Sequence, residues 1–247
     1  MKNQYFGDVN DYRKYGLLRI LSGAGEISIG VCWMLTASDE RTDGQFLSYL
    51  DQPAKYRNFD PYLFDYLLRC VKVERERNVS LVESADVLPG TVFYSRLLSD
   101  FGSERRRYFE ETLKSFRGVD LVFFDPDNGF EVPSKKFGRK DSNKYLYWHE
   151  LTEAYSAGHS VIVYQHFVRE ERNSFIIRVA NEMRLRTRAV EIYSFQTPHV
   201  VFLLAPQPSH AGYFGRQAER VSDIWKEQMR VHRHLDGQID PVIVTSA

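Results

Sequence analysis

Two cysteines in 247 residues, Cys32 and Cys70, are too few for a disulfide framework or a thiolate metal site, and they point to a reducing compartment. Neither sign of charge is in surplus. With 33 basic and 33 acidic residues there is no global field to draw in a polyanion, so any grip on one must be local. No apolar run approaches the span of a bilayer, and the polar start MKNQYFGD lacks a signal-peptide core, so the expectation is a cytoplasmic protein with no membrane partner. A glycine-rich turn after the first strand, the usual cradle for a nucleotide, is also missing: the loop LTASDERTDG offers only Thr36, Ala37 and Ser38 as small residues before Gly44. What the chain does have is core material. Its 43% apolar content suits one large soluble domain, and its 15 Tyr and 17 Phe suit either a dense interior or base stacking.

The most informative stretch is Val119 to Glu131, VDLVFFDPDNGFE. Val119 to Asp125 suits a strand buried on both faces, and Pro126 and Gly129 end it. In an open α/β sheet the ligand crevice lies beyond the carboxyl ends of the strands, which puts Asp125, Asp127, Asn128 and Glu131 where chemistry is usually done. The plain alternative is a turn, since Asp-Pro and Asn-Gly are turn dipeptides. A turn alone, however, needs no buried strand delivering three acids within seven residues.

Elsewhere, helical spacing predicts helices over Asp11 to Leu21, with Asp11 or Asn10 as cap, and over Asp60 to Val71, Ser103 to Phe116, Tyr145 to Ala157, Arg169 to Met183 and Gln217 to His232. Strands are predicted at Ile27 to Leu35, Val79 to Val82, Thr91 to Tyr94, His159 to Phe167, Arg188 to Phe195 and Val200 to Ala205, the last two joined by QTPH as an antiparallel pair. The alternation argues for a single α/β domain over residues 1–247: a doubly wound, mostly parallel sheet with an antiparallel edge. Residues 1–25 form an N-terminal helical motif, 132–144 read as a mobile basic loop over the crevice, and 206–247 as a C-terminal helix and loosely held tail.

The opening FGDVNDYRKYGLLRIL resembles that of the adenine-N6 methyltransferases that modify 23S ribosomal RNA, with Gly7, Asp8, Asp11, Lys14 and Tyr15 on the motif positions. In FDPDNGFE, Asp125 and Pro126 match that family's Asp-Pro-Pro-Tyr motif, and VIVYQHF resembles its next strand at Tyr164. The resemblance touches about half the chain in three patches. It implies a class I, Rossmann-like fold, S-adenosylmethionine as cofactor, and RNA or DNA as partner. It also implies that Asp125 and the Pro126 carbonyl accept hydrogen bonds from an exocyclic amine, and that Lys14, Tyr15 and Thr36 lie at the methyl donor. Glu83, ending the run VSLVE, is the candidate acid for its ribose. Two positions depart from the motif: Asp127 replaces a proline, and Asn128 replaces the aromatic that stacks on the flipped base. Phe130 is the candidate replacement, and Tyr5 adds a second ring near the N-terminal motif.

Three further readings stay open. His166 should share a rim with the acidic corner as a base, ligand or phosphate contact, although a lone histidine is more often a hydrogen-bonded polar residue. Asp125, Asp127 and Glu131 also form an oxygen set suited to magnesium, the signature of a metal-dependent nuclease or phosphotransferase. Lys135 and Lys136, with Arg139, Lys140 and Lys144, would hold phosphate. A non-catalytic nucleic-acid-binding relative that has lost the motif aromatic is the remaining alternative.

Overall fold

The computed structural model describes residues 1–39, 44–236 and 238–242, so Glu40 to Asp43 of the polar loop and the last five residues of the tail lie outside the described residues. Among the described residues there are ten strands: β1 Ile29–Cys32, β2 Val92–Tyr94, β3 Leu121–Phe124, β4 Gly129–Phe130, β5 Tyr145–Leu146, β6 Ser160–His166, β7 Ile192–Gln196, β8 Val200–Ala205, β9 Arg230–Leu235 and β10 Gln238–Pro241. The α-helices are α1 Val9–Ser22, α2 Pro53–Tyr56, α3 Pro61–Leu68, α4 Ser80–Ser84, α5 Gly102–Ser115, α6 Trp148–Ser156, α7 Arg172–Thr187 and α8 Ala211–Ile224.

Eight strands form one sheet in the order β10-β9-β7-β8-β6-β3-β1-β2, while β4 and β5 pair separately at the rim. β2, β1, β3 and β6 run parallel, β8 and β9 oppose them, and β7 and β10 run with the first set. The result is a mixed α/β fold on a large sheet in which most strands share one direction. The register aligns Val31, Phe123, Ile162 and Leu204 across the middle. Because side chains alternate along a strand, this row packs with α1, α3 and α8 on one face, whereas Cys32, Phe124, Val163 and Leu203 pack with α5, α6 and α7 on the other. Both faces of the central strands are therefore dry, which is why their sequences are almost unbroken apolar runs.

Helix α1 starts where the parallel strands end. Asp8 caps it, accepting from the backbone N–H groups of Asn10 at 2.6 Å and Asp11 at 3.4 Å, so the cap lies earlier than expected. Gly23 closes it in the left-handed conformation. Gly16 in its middle is a contact glycine: a Cβ there would lie 2.1 Å from Trp225 Cζ2.

Three sequence expectations fail locally. Val79 to Val82 is not a strand but the start of α4, because the Asn78 carboxamide accepts from Ser80 N–H at 3.0 Å and turns the chain instead of extending it. Helix α8 ends at Ile224, and the stretch expected to continue it becomes β9, followed by β10, so the described tail closes the sheet edge. Residues 132–144 do not swing over the crevice. The Asp100 carboxylate accepts from Asp141 N–H at 2.9 Å and Asn143 N–H at 2.8 Å, and the buried Arg105 guanidinium grips Ser142 O at 2.9 Å, which ties this loop to α5.

Candidate functional site

The strand order begins one strand in from an edge with β1, steps outward to β2, then reverses past its start to β3 and β6, so the topological switch point lies between β1 and β3. On that rim is a cavity of about 450 Å³, a usual size for a small-molecule site. Its floor is the corner after β3, Asp125 to Asn128, with Tyr164 and His166 from β6 beside it. Asp8, Asn10, Asp11 and Lys14 from the start of α1 form one wall, and Tyr5 with Gly44, Gln45 and Phe46 complete the mouth.

At the centre, Lys14 Nζ lies 2.7 Å from Asp11 Oδ1 and 2.7 Å from Asp125 Oδ2, with all three side chains buried. Burial works against the Lys14 charge, but the two carboxylates outweigh it and its pKa is raised. Burial pushes Asp125 up, and Lys14 limits the rise. The second oxygen of Asp11 accepts from Gly7 N–H at 3.1 Å and from the Tyr15 hydroxyl at 3.2 Å, so Asp11 is fully engaged.

Asp127 is held differently. Its carboxylate pairs with the Met1 amine at 2.7 Å and accepts from the Thr36 hydroxyl at 2.7 Å. Burial opposes its ionisation, but the amine beside it prevails and the pKa is lowered. Asp8 goes the other way, pushed up to about 7 by burial first and by the charge of Asp11 second. Burial brings His166 down to about 4, despite the pull of Asp127, so its imidazole is neutral near pH 7 and sits 3.3 Å from the Tyr164 hydroxyl. Four carboxyl groups thus face one ammonium side chain and the Met1 amine, leaving the cavity net negative.

The structure brings Asp125, Pro126, Asp127, Asn128, His166, Lys14, Tyr5 and Tyr164 to this one cavity. Tyr15 and Thr36 stand behind it, acting on Asp11 and Asp127 respectively rather than lining it. Glu83 is misplaced: being on α4 rather than at a strand end, it accepts from the Trp33 indole N–H at 2.7 Å and from the Ser95 hydroxyl. Phe130 faces away and stacks on Trp148, ring centroids 3.9 Å apart. Lys135 pairs with Asp141 at 2.8 Å, and neither it nor Lys136 lines the cavity. Glu131 caps α6 through Trp148 N–H at 2.9 Å, so the oxygen set proposed for magnesium is split. Among the described residues no group of three or more His, Cys, Asp or Glu side chains is placed to hold a metal ion. Sequence reasoning missed Asn10 as a wall residue and Phe46 as a mouth residue, the latter because it reads as the start of the apolar run FLSYL.

No protein-family model and no curated protein matches the chain. Among solved structures, it is similar to protein LPL1258 from Legionella pneumophila str. Philadelphia 1, described under the family model DUF519, at a TM-score of 0.44 and 10% identity, over 93% of this chain and 97% of that one. So loose a likeness carries no argument. The fold and site define a mixed α/β protein with an acidic cavity at the carboxyl ends of its parallel strands.

Proposed function

We propose that the protein is a Rossmann-like, S-adenosylmethionine-dependent methyltransferase acting on an exocyclic amine of a nucleic-acid base, adenine N6 first among them. The carrying observation is convergence. The three patches of the resemblance, around Lys14, Asp125 and Tyr164, meet at one cavity, and Lys14 bridges to Asp125 across 111 residues of sequence.

The cofactor fits by charge. S-adenosylmethionine carries a sulfonium, an ammonium and a carboxylate, net positive, and the cavity wall is net negative, with Asp8 and Asp11 placed on the helix side to face the positive groups. When bound it supplies an electrophilic methyl group. On the protein side, Asp125 and the Pro126 carbonyl accept hydrogen bonds from the acceptor amine, whose lone pair is otherwise conjugated into the ring, and so orient its nitrogen. Lys14 keeps Asp125 in place and favours its ionised form as an acceptor. His166, neutral near pH 7, serves as a hydrogen-bond partner, and the proton released from the amine passes to water at the cavity mouth. The nucleic-acid target rests on the resemblance, since Arg105, Lys135 and Lys144 are all paired within the protein.

Calorimetric titration with S-adenosylmethionine and with its demethylated product tests the reading. The charged donor is expected to bind more tightly than the product, and at a hundredfold excess over its Kd to stabilise the fold by about 2.7 kcal/mol. Asp125→Asn is expected to bind the donor within a few-fold of wild type and to lose labelled methyl transfer to RNA and DNA. Absence of donor binding at millimolar concentration refutes the proposal.

A further inference from the structure

The acceptor base needs a flat surface, and the motif position that would supply it is Asn128. Phe124 is fully buried and Phe130 is covered by Trp148, so neither can replace it. Of the rings at the cavity, Tyr164 is buried with the Lys14 ammonium 5.2 Å over its face, and Tyr5 is half-buried with the Lys2 ammonium 5.5 Å over its own. Phe46 is different. It is 55% exposed at the cavity mouth, and one face is backed by His199 from the β7–β8 turn, with centroids 5.1 Å apart and planes 7° from parallel. Its carbonyl accepts from Val9 N–H at 3.1 Å, which seats it against the first turn of α1.

We infer that Phe46, backed by His199 at the mouth of the acidic cavity, is the stacking surface for a flat heterocycle. The exposed face of the ring takes the base, and the cavity beside it takes the polar edge of the base. The net-negative wall admits the base and holds the phosphates outside, which makes the ligand a base swung out of its strand rather than a whole nucleotide. This subsite rests on the proposed function for its role in methyl transfer, but base binding can be measured without the donor.

The test is equilibrium binding of adenosine and of ribose, which lacks the ring, to the protein. Wild type is expected to bind adenosine and not ribose. Phe46→Ala should weaken adenosine about tenfold to a hundredfold, the usual cost of removing one stacking ring. Phe46→Tyr should bind like wild type. Because Phe46 is exposed, a folding defect is not expected to mask the result. Equal affinity of wild type and Phe46→Ala, or no adenosine binding at millimolar concentration, overturns the inference. Donor titration of the same Phe46→Ala protein separates the two claims: lost adenosine affinity with unchanged S-adenosylmethionine binding upholds both, whereas a wild type that binds adenosine but no donor upholds only the subsite.

Discussion

Replacing Lys14 by methionine keeps the length of the side chain and removes its ammonium, leaving Asp11 and Asp125, 4% and 2% exposed, facing each other without the charge that bridges them. Deleting one member of a buried ion network usually costs about 3–5 kcal/mol, because the orphaned charges cannot regain water. The carboxyl groups can relieve this by taking up a proton, which raises their pKa in the folded variant above the unfolded value. A raised folded pKa gives stability that is present below the unfolded pKa and lost as pH rises through the folded one. The gap between wild type and Lys14→Met should therefore be about 1–2 kcal/mol near pH 5 and widen to the full cost by pH 8. Urea unfolding at several pH values, followed by tryptophan fluorescence with Trp33 and Trp225 both buried, measures this directly. Adding Asp11→Asn and Asp125→Asn should recover most of the loss, since neutral groups of similar shape can replace a buried network at little net cost. A difference below about 1 kcal/mol that does not change between pH 5 and pH 8, as for an exposed pair, would refute the account of the centre.

Asp8 supplies a second pH signal with its own sign. Its carboxyl is raised to about 7, so it stabilises the fold below its ordinary range and loses that contribution as pH rises towards neutrality. Asp8→Asn, which can still cap α1, should flatten the wild-type decline between pH 5 and pH 8 by about 2–3 kcal/mol in urea melts; parallel profiles would contradict the cause given for the shift. Gly16→Ala should destabilise by about 1–3 kcal/mol despite alanine's better helix propensity, because the new methyl meets Trp225, and a raised Tm would show that this contact yields.

Central strands were legible because both parities of β1, β3, β6 and β8 are apolar, a pattern that only a sheet covered on both faces explains. The acidic corner was legible because an apolar run ending in Asp-Pro-Asp-Asn marks a strand's ligand-facing end. Much of the rest depends on partners far away in sequence. Nothing near Lys14 announces Asp125, and the resemblance alone set them in one site. β9 was lost because the pattern changes from helical to alternating spacing between Trp225 and Arg230 without a glycine or proline to mark it. Glu83 failed because the Asn78 side chain bends the chain before a strand can begin.

The basic loop is the most instructive error. Lysines counted along the chain look available, but Lys135 and Lys144 share Asp141, and Arg105 closes on Glu150 at 2.6 Å. Inside the cavity Asp8, Asp11, Asp125 and Asp127 outnumber Lys14 and the Met1 amine, so its sign is opposite to the one the loop suggested. A negative pocket favours cationic and neutral ligands and repels a phosphate backbone, which under the proposed function means the charged donor and an uncharged base. Raising the salt concentration should then weaken donor binding to the wall, while base stacking at Phe46, an uncharged contact, stays nearly constant.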